Sequence, residues 1–178
     1  AAPGITECIA GQSWERDGVH FRMLHPTRGF PYLGNEASCV LRVESRHGSV
    51  LLTGDIGHYV ERALLRREPG RIRNKVVIVG HHGSAGSSDP GFVAATGARL
   101  ALVSSGAGNR FGHPRAEVVE RWCGEGAEVV DTARAGAVRV WLGADGLQLD
   151  ERRISRPRLW DAARRRHGTA GLCYPPES

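Results

Sequence analysis

The sequence has few aromatic residues, 6% of 178, and a single methionine. No segment approaches the roughly 20 consecutive apolar residues that a membrane-spanning helix needs. No stretch is typical of a signal or transit peptide. The charged fraction of 24% is ordinary for a folded domain. Together with the length, this predicts one globular domain with a sizeable core.

The four cysteines do not form a CxxC pair, which argues against a zinc ribbon. They are Cys8, Cys39, Cys123 and Cys173. Their spacing does not choose between buried thiols and two disulfides. Two disulfides would indicate an oxidising compartment.

The net charge of +5 is unevenly distributed. Arginines crowd the C-terminal segment, at positions 152, 153, 156, 158, 164, 165 and 166. Such a run is most often a solvated tail, and contact with a phosphate backbone is the alternative interpretation. Beyond about Ile154 the hydrophobic pattern decays, and we expect a mobile basic tail.

The hydrophobic pattern predicts strands first and then alternating strands and helices. Asp89 and Pro90 are typical of a helix start, and Gly97 of its end. This order favours the α/β class, with helices packed on a sheet. The predicted strands are 19–24, 39–44, 50–53, 75–79, 99–104, 127–130 and 137–142; the predicted helices follow Asp55 and Asp89 and cover 114–123.

Polar residues follow three of the predicted strands. Thr53-Gly54-Asp55 follows the first, 80–84 (GHHGS) the second, and 104–114 the third, with Asn109 and His113. Sites in open α/β sheets form at the carboxyl ends of strands, so one carboxylate and up to three imidazoles are expected to converge there. Carboxylate oxygen with imidazole nitrogen suits Zn, Mn or Fe.

Each of these residues also has an ordinary interpretation. Asp55 could cap the following helix, and His113 could cap a helix that has Pro114 in its first turn. Ser84, Ser87 and Ser88 could solvate a loop, or their hydroxyls could hold a phosphate. Consecutive side chains of an extended strand point to opposite faces, so one of His81 and His82 is expected to face the site.

Five motifs occur in an order and at a spacing that resemble a known family. They are NEASCVLRV (35–43), LLTGDI (51–56), VGHHGSxxSS (79–88), ALVSSG (101–106) and NRFGHP (109–114). The segment 8–26 resembles the stretch that precedes them. The chain thus resembles the C-terminal metallo-β-lactamase-like domain of the DNA-internalisation competence protein ComEC over most of 8–149.

The resemblance implies an αββα metallohydrolase fold with a phosphodiesterase site of one or two divalent metal ions, Mn or Zn. It assigns metal binding to Asp55 and to His81 or His82, of which we favour His81. It places His113, with Asn109 and Ser84, at the scissile phosphate. The metal would activate a bound water, and His113 would steady the developing charge or protonate the leaving oxygen.

The resemblance also implies partners and a compartment. DNA is the expected substrate, cleaved as the non-transported strand during uptake, and the other partners are the rest of a parent inner-membrane protein and further uptake components. The domain would lie on the periplasmic side, which would permit a Cys8–Cys39 disulfide. The phosphate-contacting residues are expected to be Ser38, Ser87, Ser88, Arg110, Arg152 and Arg153.

The family's early signature, an HxDxDH run, is absent. We therefore interpret residues 1–151 as the second half of such a domain, weakly active or inactive alone, and 152–178 as its tail. The start at Ala1-Ala2-Pro3 without methionine fits a processed product, an excised domain or a fragment. A half-domain is expected to expose an apolar face or sheet edge.

Two other functions compete with this one. The chain could be another hydrolase of the metallo-β-lactamase fold, acting on a small ester, lactone or phosphodiester. It could also be a basic DNA-binding module without catalysis, since the early metal ligands are missing.

Overall fold

A computed structural model describes residues 7–158 and 171–173 of the chain. Its strands are β1 (Ser13–Arg16), β2 (Val19–His25), β3 (Val40–Ser45), β4 (Gly48–Leu52), β5 (Val76–Ile78), β6 (Leu100–Val103), β7 (Glu128–Asp131), β8 (Val138–Gly143), β9 (Gly146–Glu151) and β10 (Gly171–Cys173). Its helices are α1 (His58–Arg67), α2 (Pro69–Ile72), α3 (Pro90–Thr96), α4 (Ala116–Gly124), α5 (Thr132–Ala135) and α6 (Arg152–Ser155). Short 3₁₀ turns cover Gly34–Ala37 and Gly80–Gly83.

Within these residues, eight strands form one mixed sheet in the order β1-β2-β3-β4-β5-β6-β7-β10. Strands β1 to β4 run antiparallel to their neighbours, β4 to β7 run parallel, and β10 pairs antiparallel with β7. The carboxyl ends of β4, β5, β6 and β7 therefore lie along one edge of the molecule.

The main core lies between one face of this sheet and the helices. Apolar residues of α1, α3 and α4 pack on it because each helix has one buried stripe, as in the amphipathic pattern that the sequence predicts. The central members are fully buried: Leu51, Val60, Leu64, Val77, Phe92, Ala101, Val118, Trp122 and Val129.

The opposite face is covered differently from the expected αββα sandwich. The two-stranded hairpin β8–β9 packs over β5, β6 and β7 there, around the buried residues Val76, Leu100 and Val130. The described residues contain no second large sheet with its own helix layer. The α/β class is confirmed, whereas the metallo-β-lactamase-like sandwich is not supported.

The part of this face formed by β1 to β4 is more open. Phe21, Met23, Leu41 and Val43 share it by register and are half-buried. Leu52, at the end of β4, keeps 37% of its surface exposed. Apolar side chains are therefore accessible beside the hairpin, and the edge strand β1 is exposed at every residue.

Most predicted elements are present within a residue or two of their expected bounds. Asp89 caps α3 by accepting hydrogen bonds from the backbone N–H groups of Gly91 and Phe92, and Gly97 ends this helix in a left-handed conformation. Pro114 does not begin α4, because Arg115 is its capping residue. The elements β1, α2, α5, α6 and β10 have three or four residues each, too few for a periodic signal, and the six-residue strand β9 was missed.

Two segments of the predicted basic tail form secondary structure. Arg152–Ser155 forms α6, and Gly171–Cys173 forms β10 on the edge of the main sheet. Arg164, Arg165 and Arg166 lie outside the described residues. The boundary at residue 151 stays a prediction.

The four cysteines form two disulfides. Cys8 is bonded to Cys39, as the family resemblance implied, and Cys123 is bonded to Cys173. The first links the start of the described chain to β3, and the second links α4 to β10. No helix in the described part of the chain is long and apolar enough to cross a membrane.

Glu61 is a carboxylate in the core, with 1% of its surface exposed. It accepts hydrogen bonds from the backbone N–H groups of Ser88 (2.8 Å) and Asp89 (2.6 Å), and so ties α1 to the start of α3. Burial raises the pKa of Glu61 to about 7, against the opposing effect of these two hydrogen bonds.

This raised pKa makes stability depend on pH. Between the ordinary pKa of 4.5 and the folded-state pKa of about 7, the folded protein binds one more proton than the unfolded chain. The free energy of unfolding should therefore fall by about 2–3 kcal/mol as the pH rises through this range. Urea unfolding of wild type and Glu61→Gln from pH 4.5 to 8 measures the effect. The exposed Glu120→Gln variant on α4 is the control. An unchanged pH profile in Glu61→Gln would contradict the assignment.

The disulfides should contribute strongly to stability, because each closes a long loop in the unfolded chain. The separations are 31 residues for Cys8–Cys39 and 50 for Cys123–Cys173. We expect the double variant Cys123→Ser/Cys173→Ser to lose about 4 kcal/mol in urea unfolding, and the corresponding Cys8/Cys39 variant slightly less. An unfolding midpoint that a reducing agent does not move would show that neither bond is formed in solution.

Candidate functional site

The candidate site lies where three adjacent parallel strands end. Asp55 follows β4, the turn Gly80–Gly83 follows β5, and Ser104 follows β6. The backbone joins these ends directly, since His81 N–H donates to the carbonyl of Gly54 at 3.1 Å. The convergence predicted from the sequence is therefore present at this edge.

His81 and His82 both lie in the left-handed region of the backbone, with φ of 50° and 56°. The sequence predicted an extended pair with rings on opposite faces, and this is wrong because the strand ends at Ile78 and the chain turns at once. Left-handed φ is costly for residues other than glycine and clusters at functional sites. The turn thus holds two imidazoles in a conformation that local propensity does not favour.

Buried hydroxyl groups form hydrogen bonds with backbone carbonyls at the start of the Gly80–Gly83 turn. Thr53 donates its hydroxyl to the carbonyl of Ile78 at 2.6 Å, and Ser87 donates to the carbonyl of Gly80 at 2.8 Å. Both side chains are fully buried. These bonds satisfy carbonyls that the end of β5 leaves unpaired, and they fix where the two histidines begin.

Asp55 and His82 face each other across the site, with Oδ1 and Nε2 separated by 3.6 Å. The Nδ1 of His82 lies 2.7 Å from the carbonyl oxygen of Ser104. A carbonyl only accepts, so Nδ1 carries a proton and the Nε2 position faces the carboxylate. Nε2 then either carries a second proton and pairs with Asp55, or directs its lone pair toward a cation held between the two groups.

His81 makes a different contact from the one expected. Its Nε2 accepts a hydrogen bond from the side-chain amide of Asn35 at 3.0 Å. That nitrogen is therefore occupied within the protein. Of the two histidines, His82 is the one with a ring nitrogen within 4.0 Å of the Asp55 carboxylate, and the preference for His81 as a metal ligand stays a prediction.

His113 completes the group of imidazoles. Its ring lies edge-on to that of His81, with centroids 6.1 Å apart, and stacks against Phe111 at 5.7 Å. Asn109 does not reach into the site. Its side chain binds both the carbonyl (2.7 Å) and the N–H (3.0 Å) of His113, so it shapes the loop that positions this histidine.

The pKa of His113 lies below its usual value. Loss of solvent is the largest cause, followed by the positive charge of Arg115 and by the neighbouring His81 and His82. A histidine with a lowered pKa is neutral at pH 7 and is suited to accept a proton.

The serines predicted to contact phosphate fall into two groups. Ser87 and Ser88 are fully buried, and both hydroxyls are used inside the protein, since Ser88 accepts from the indole N–H of Trp122 at 3.0 Å. Neither hydroxyl is exposed to solvent, and their contact with phosphate stays a prediction. Ser84 and Ser38 are half-buried at the site, where Ser84 accepts a weak bond from Gly86 N–H at 3.3 Å.

The three arginines predicted to contact phosphate lie in two different places. Arg110 is exposed, and its guanidinium lies 4.9 Å above the ring centroid of Phe111, next to His113. Arg152 and Arg153 belong to α6, where Arg153 donates to the carbonyl of Ala133 in α5. The three histidines and Arg110 make this edge a region suited to an anionic ligand.

Among the described residues, no group of three or more His, Cys, Asp or Glu side chains is arranged to hold a metal ion. Asp55 and His82 together offer two ligands. The described part of this chain therefore does not complete a metal site from its own side chains, and metal binding stays a prediction.

Sequence reasoning missed the groups that orient the histidines. Asn35 and the carbonyl of Ser104 hold the two rings, and Glu36 accepts from the N–H of Gly57 at 3.2 Å. Asn35 and Glu36 belong to the motif at 35–43, and Ser104 belongs to the motif at 101–106. Their roles carry no sequence signal, because they depend on which loop lies beside which strand end.

The chain is similar to proteins named for competence and recombination. It is 34% identical over 151 residues to competence protein ComA of Neisseria gonorrhoeae, which covers 85% of this chain and 22% of that protein. It is 36% identical over 148 residues to recombination protein 2 of Haemophilus influenzae, covering 83% and 18%. It is 30% identical over 135 residues to ComE operon protein 3 of Bacillus subtilis, covering 76% and 17%.

These matches correct the resemblance stated from the motifs. These relatives are named as a competence protein, a recombination protein and a ComE operon protein, and none is named as a ComEC metallo-β-lactamase domain. The chain spans about a fifth of the length of these relatives. A scan against models of protein families finds none that matches. The chain is thus similar to competence proteins, and its identification as a ComEC metallo-β-lactamase-like domain is not supported.

Gly83 joins the histidine turn to the His113 loop, and we expect its substitution to disrupt the site. Its φ is +78°, and an added Cβ would lie 2.7 Å from Cβ of Pro114. Gly83→Ala should therefore cost about 1–3 kcal/mol in urea unfolding and shift the imidazole NMR signals of His81 and His113.

Gly86→Ala is the matched control, because the nearest atom to its added Cβ, Ser84 Oγ, is 3.9 Å away. It should change stability by less than about 1 kcal/mol. Equal effects of the two substitutions would show that Gly83 does not hold the two loops together.

Proposed function

We propose that this chain is part of a DNA-uptake protein and that its site acts on the phosphodiester backbone of DNA. The observation that carries the proposal is the meeting of Asp55, His82, His81 and His113 at the ends of adjacent parallel strands. The similarity to competence proteins supports the context. The rest of the longer protein and other uptake components are the proposed partners.

The charge of the site suits a phosphodiester. Arg110 and Arg115 stand on the His113 loop, and Asp55 is the carboxylate that faces the histidines. A phosphate could approach the imidazoles and guanidinium groups, whereas a neutral ester would gain less from them. This favours the phosphodiester over the small ester or lactone.

Asp55 and His82 are the residues that would hold a divalent cation, Mn²⁺ or Zn²⁺. Their Oδ1 and Nε2 atoms lie 3.6 Å apart, and a carboxylate oxygen with an imidazole nitrogen suits either metal. The Ser104 carbonyl fixes the His82 tautomer that leaves Nε2 free to bind, a common arrangement for metal-binding histidines. When bound, such an ion would supply Lewis-acid stabilisation of the phosphate oxygens.

His113 is proposed as the group that accepts a proton from the attacking water. Its lowered pKa keeps it neutral, and Asn109 fixes its backbone so that the ring stands beside His81. This differs from the expected role as proton donor to the leaving oxygen, because a ring that is neutral at pH 7 does not carry the imidazolium proton which that role requires. Asn109 is accordingly a positioning residue.

The two disulfides support an oxidising compartment, and we propose that this part of the protein lies outside the cytoplasm.

A DNA-binding module without catalysis is the second candidate. The lack of a third metal ligand among the described residues favours it. Binding through arginine and histidine alone would persist in EDTA and would weaken steeply with salt.

The cation is tested by calorimetric titration with Mn²⁺ and Zn²⁺. We expect Asp55→Asn and His82→Gln each to lower the affinity roughly tenfold or more, because each removes one of two ligands. His20→Gln is the matched control, since His20 pairs with Glu15 at 3.3 Å away from the strand ends. Unchanged affinity in both site variants would refute the assignment.

Cleavage is tested with end-labelled single- and double-stranded oligonucleotides, with and without metal. We expect weak cleavage that needs metal, and its loss by roughly 100-fold in His113→Gln while metal affinity is retained. Salt-sensitive DNA binding in EDTA, together with no cleavage on addition of either metal, would favour the binding module.

A further inference from the structure

A second charged cleft lies away from the histidines. It has a volume of about 450 Å³ and is lined by residues of β1, β2, β3 and α2. The histidines follow the carboxyl ends of the parallel strands, whereas Arg22 and Arg42 stand in the middle of β2 and β3. Nothing in the proposed function uses this cleft.

Two arginines face each other across neighbouring strands in this cleft. Arg22 and Arg42 are register partners of the antiparallel pair β2–β3, so their side chains leave the same face side by side. Like charges directly opposite each other destabilise a sheet. Arg71 of α2 adds a third guanidinium to the lining.

The structure compensates two of these three charges. Arg42 binds Glu44 through both terminal nitrogens, at 2.5 and 2.8 Å, and this pairing holds the pKa of Glu44 below its usual value. Arg71 pairs with Glu68 at 2.6 Å. Glu15, the other acid of the lining, pairs with His20.

Arg22 has no such partner among the described residues. Its Nε is buried and makes no hydrogen bond, which is also true of the Nε of Arg42, but Arg22 forms no ion pair with an acidic side chain of the described residues. A buried donor without an acceptor costs about 1–3 kcal/mol. The Arg22 guanidinium therefore lines the cleft without an acidic partner among the described residues.

A planar guanidinium matches the paired oxygens of a phosphate group. We propose that this cleft is an oxyanion site in which Arg22 binds a phosphate group, with Arg71 and Arg42 lining the same space. The site is independent of the proposed action at Asp55 and His82. A phosphate group could arrive as the free ion or as part of an oligonucleotide.

Two stacked aromatic residues at the cleft are relevant to binding of an oligonucleotide. Trp14 and Phe21 stack with centroids 5.2 Å apart and an interplanar angle of 1°, and Trp14 is 46% exposed. Both border the cleft. Side chains alternate along a strand, so these two rings leave the sheet on the face opposite Arg22 and Arg42. An oligonucleotide bound at Arg22 would reach the exposed indole by passing around the edge strand β1, and a base stacked there would quench the Trp14 fluorescence.

The first experiment follows thermal unfolding as inorganic phosphate replaces chloride at constant ionic strength, with calorimetric titration for the affinity. We expect phosphate to raise the Tm of wild type by a few degrees at concentrations far above Kd, and Arg22→Gln to bind at least about tenfold more weakly. Arg16→Gln is the control, because Arg16 is exposed on β1 and lies 3.7 Å from Asp17.

General salting-out by phosphate stabilises all three proteins alike, so the difference between them is the measure. An equal Tm rise and equal affinity in wild type and Arg22→Gln would overturn the proposal. Because Arg22→Gln removes a repelled charge, it is expected to remain folded, and circular dichroism checks this.

The second experiment identifies the source with a 5′-phosphorylated oligothymidylate. Displacement of bound phosphate by the oligonucleotide, with tryptophan quenching that Trp14→Leu removes, would support a nucleic-acid phosphate. Binding of free phosphate alone would support a small-anion site. Asp55→Asn should behave as wild type in both experiments, so failure of this proposal is distinguishable from failure of the proposed function.

Discussion

The geometry of the candidate site depends on one short turn, Gly80–Gly83, held in a conformation that its own residues do not prefer. His81 and His82 both have positive φ, and the chain reaches this state because buried hydroxyls capture the carbonyls at its start. Tertiary contacts thus overcome local propensity at the point where the chemistry is proposed. Positive φ costs on the order of 1 kcal/mol for each of the two histidines. The packing of the core outside the turn offsets this cost.

The layers behind the turn explain why it is rigid. Glu61, Ser87, Ser88 and Trp122 form a buried polar network between α1, α3 and α4. A network of this kind specifies one arrangement, because moving any member leaves a buried polar group unpaired. The helices therefore do more than cover the sheet, since they fix the distance between the histidine turn and the loop that carries His113.

The two charged regions of the molecule follow different principles. At the strand ends, Asn35 and the Ser104 carbonyl orient the rings of His81 and His82, and Asn109 fixes the backbone of His113. In the cleft on β2 and β3, Arg22 and Arg42 are regular strand residues that the register brings together, and no acidic side chain in the described part of the chain pairs with Arg22. The first region is built from turns and the second from sheet pairing.

Much of this could be predicted from the sequence, and the exceptions have physical causes. The α/β class, the bounds of α3 and the convergence of Asp55 with the histidines follow from periodicity, capping residues and the rule that parallel strands end together. The choice between His81 and His82 could not be predicted, because it depends on the left-handed turn and on Asn35, 46 residues away. The burial of Ser87 and Ser88 was missed because serine in a loop is usually solvated. The resemblance to the ComEC domain depended largely on motifs at the edge where the parallel strands end. The αββα sandwich that this resemblance implied is not supported.

The Cys123–Cys173 bond encloses α5, the β8–β9 hairpin and α6 within a single covalent ring. A protease that cuts once anywhere inside this ring leaves both fragments attached to each other. Such nicked protein would migrate as intact on a denaturing gel until a thiol reagent is added, and only then separate into two bands. Electrophoresis without reductant would therefore overstate how much of a preparation is uncut.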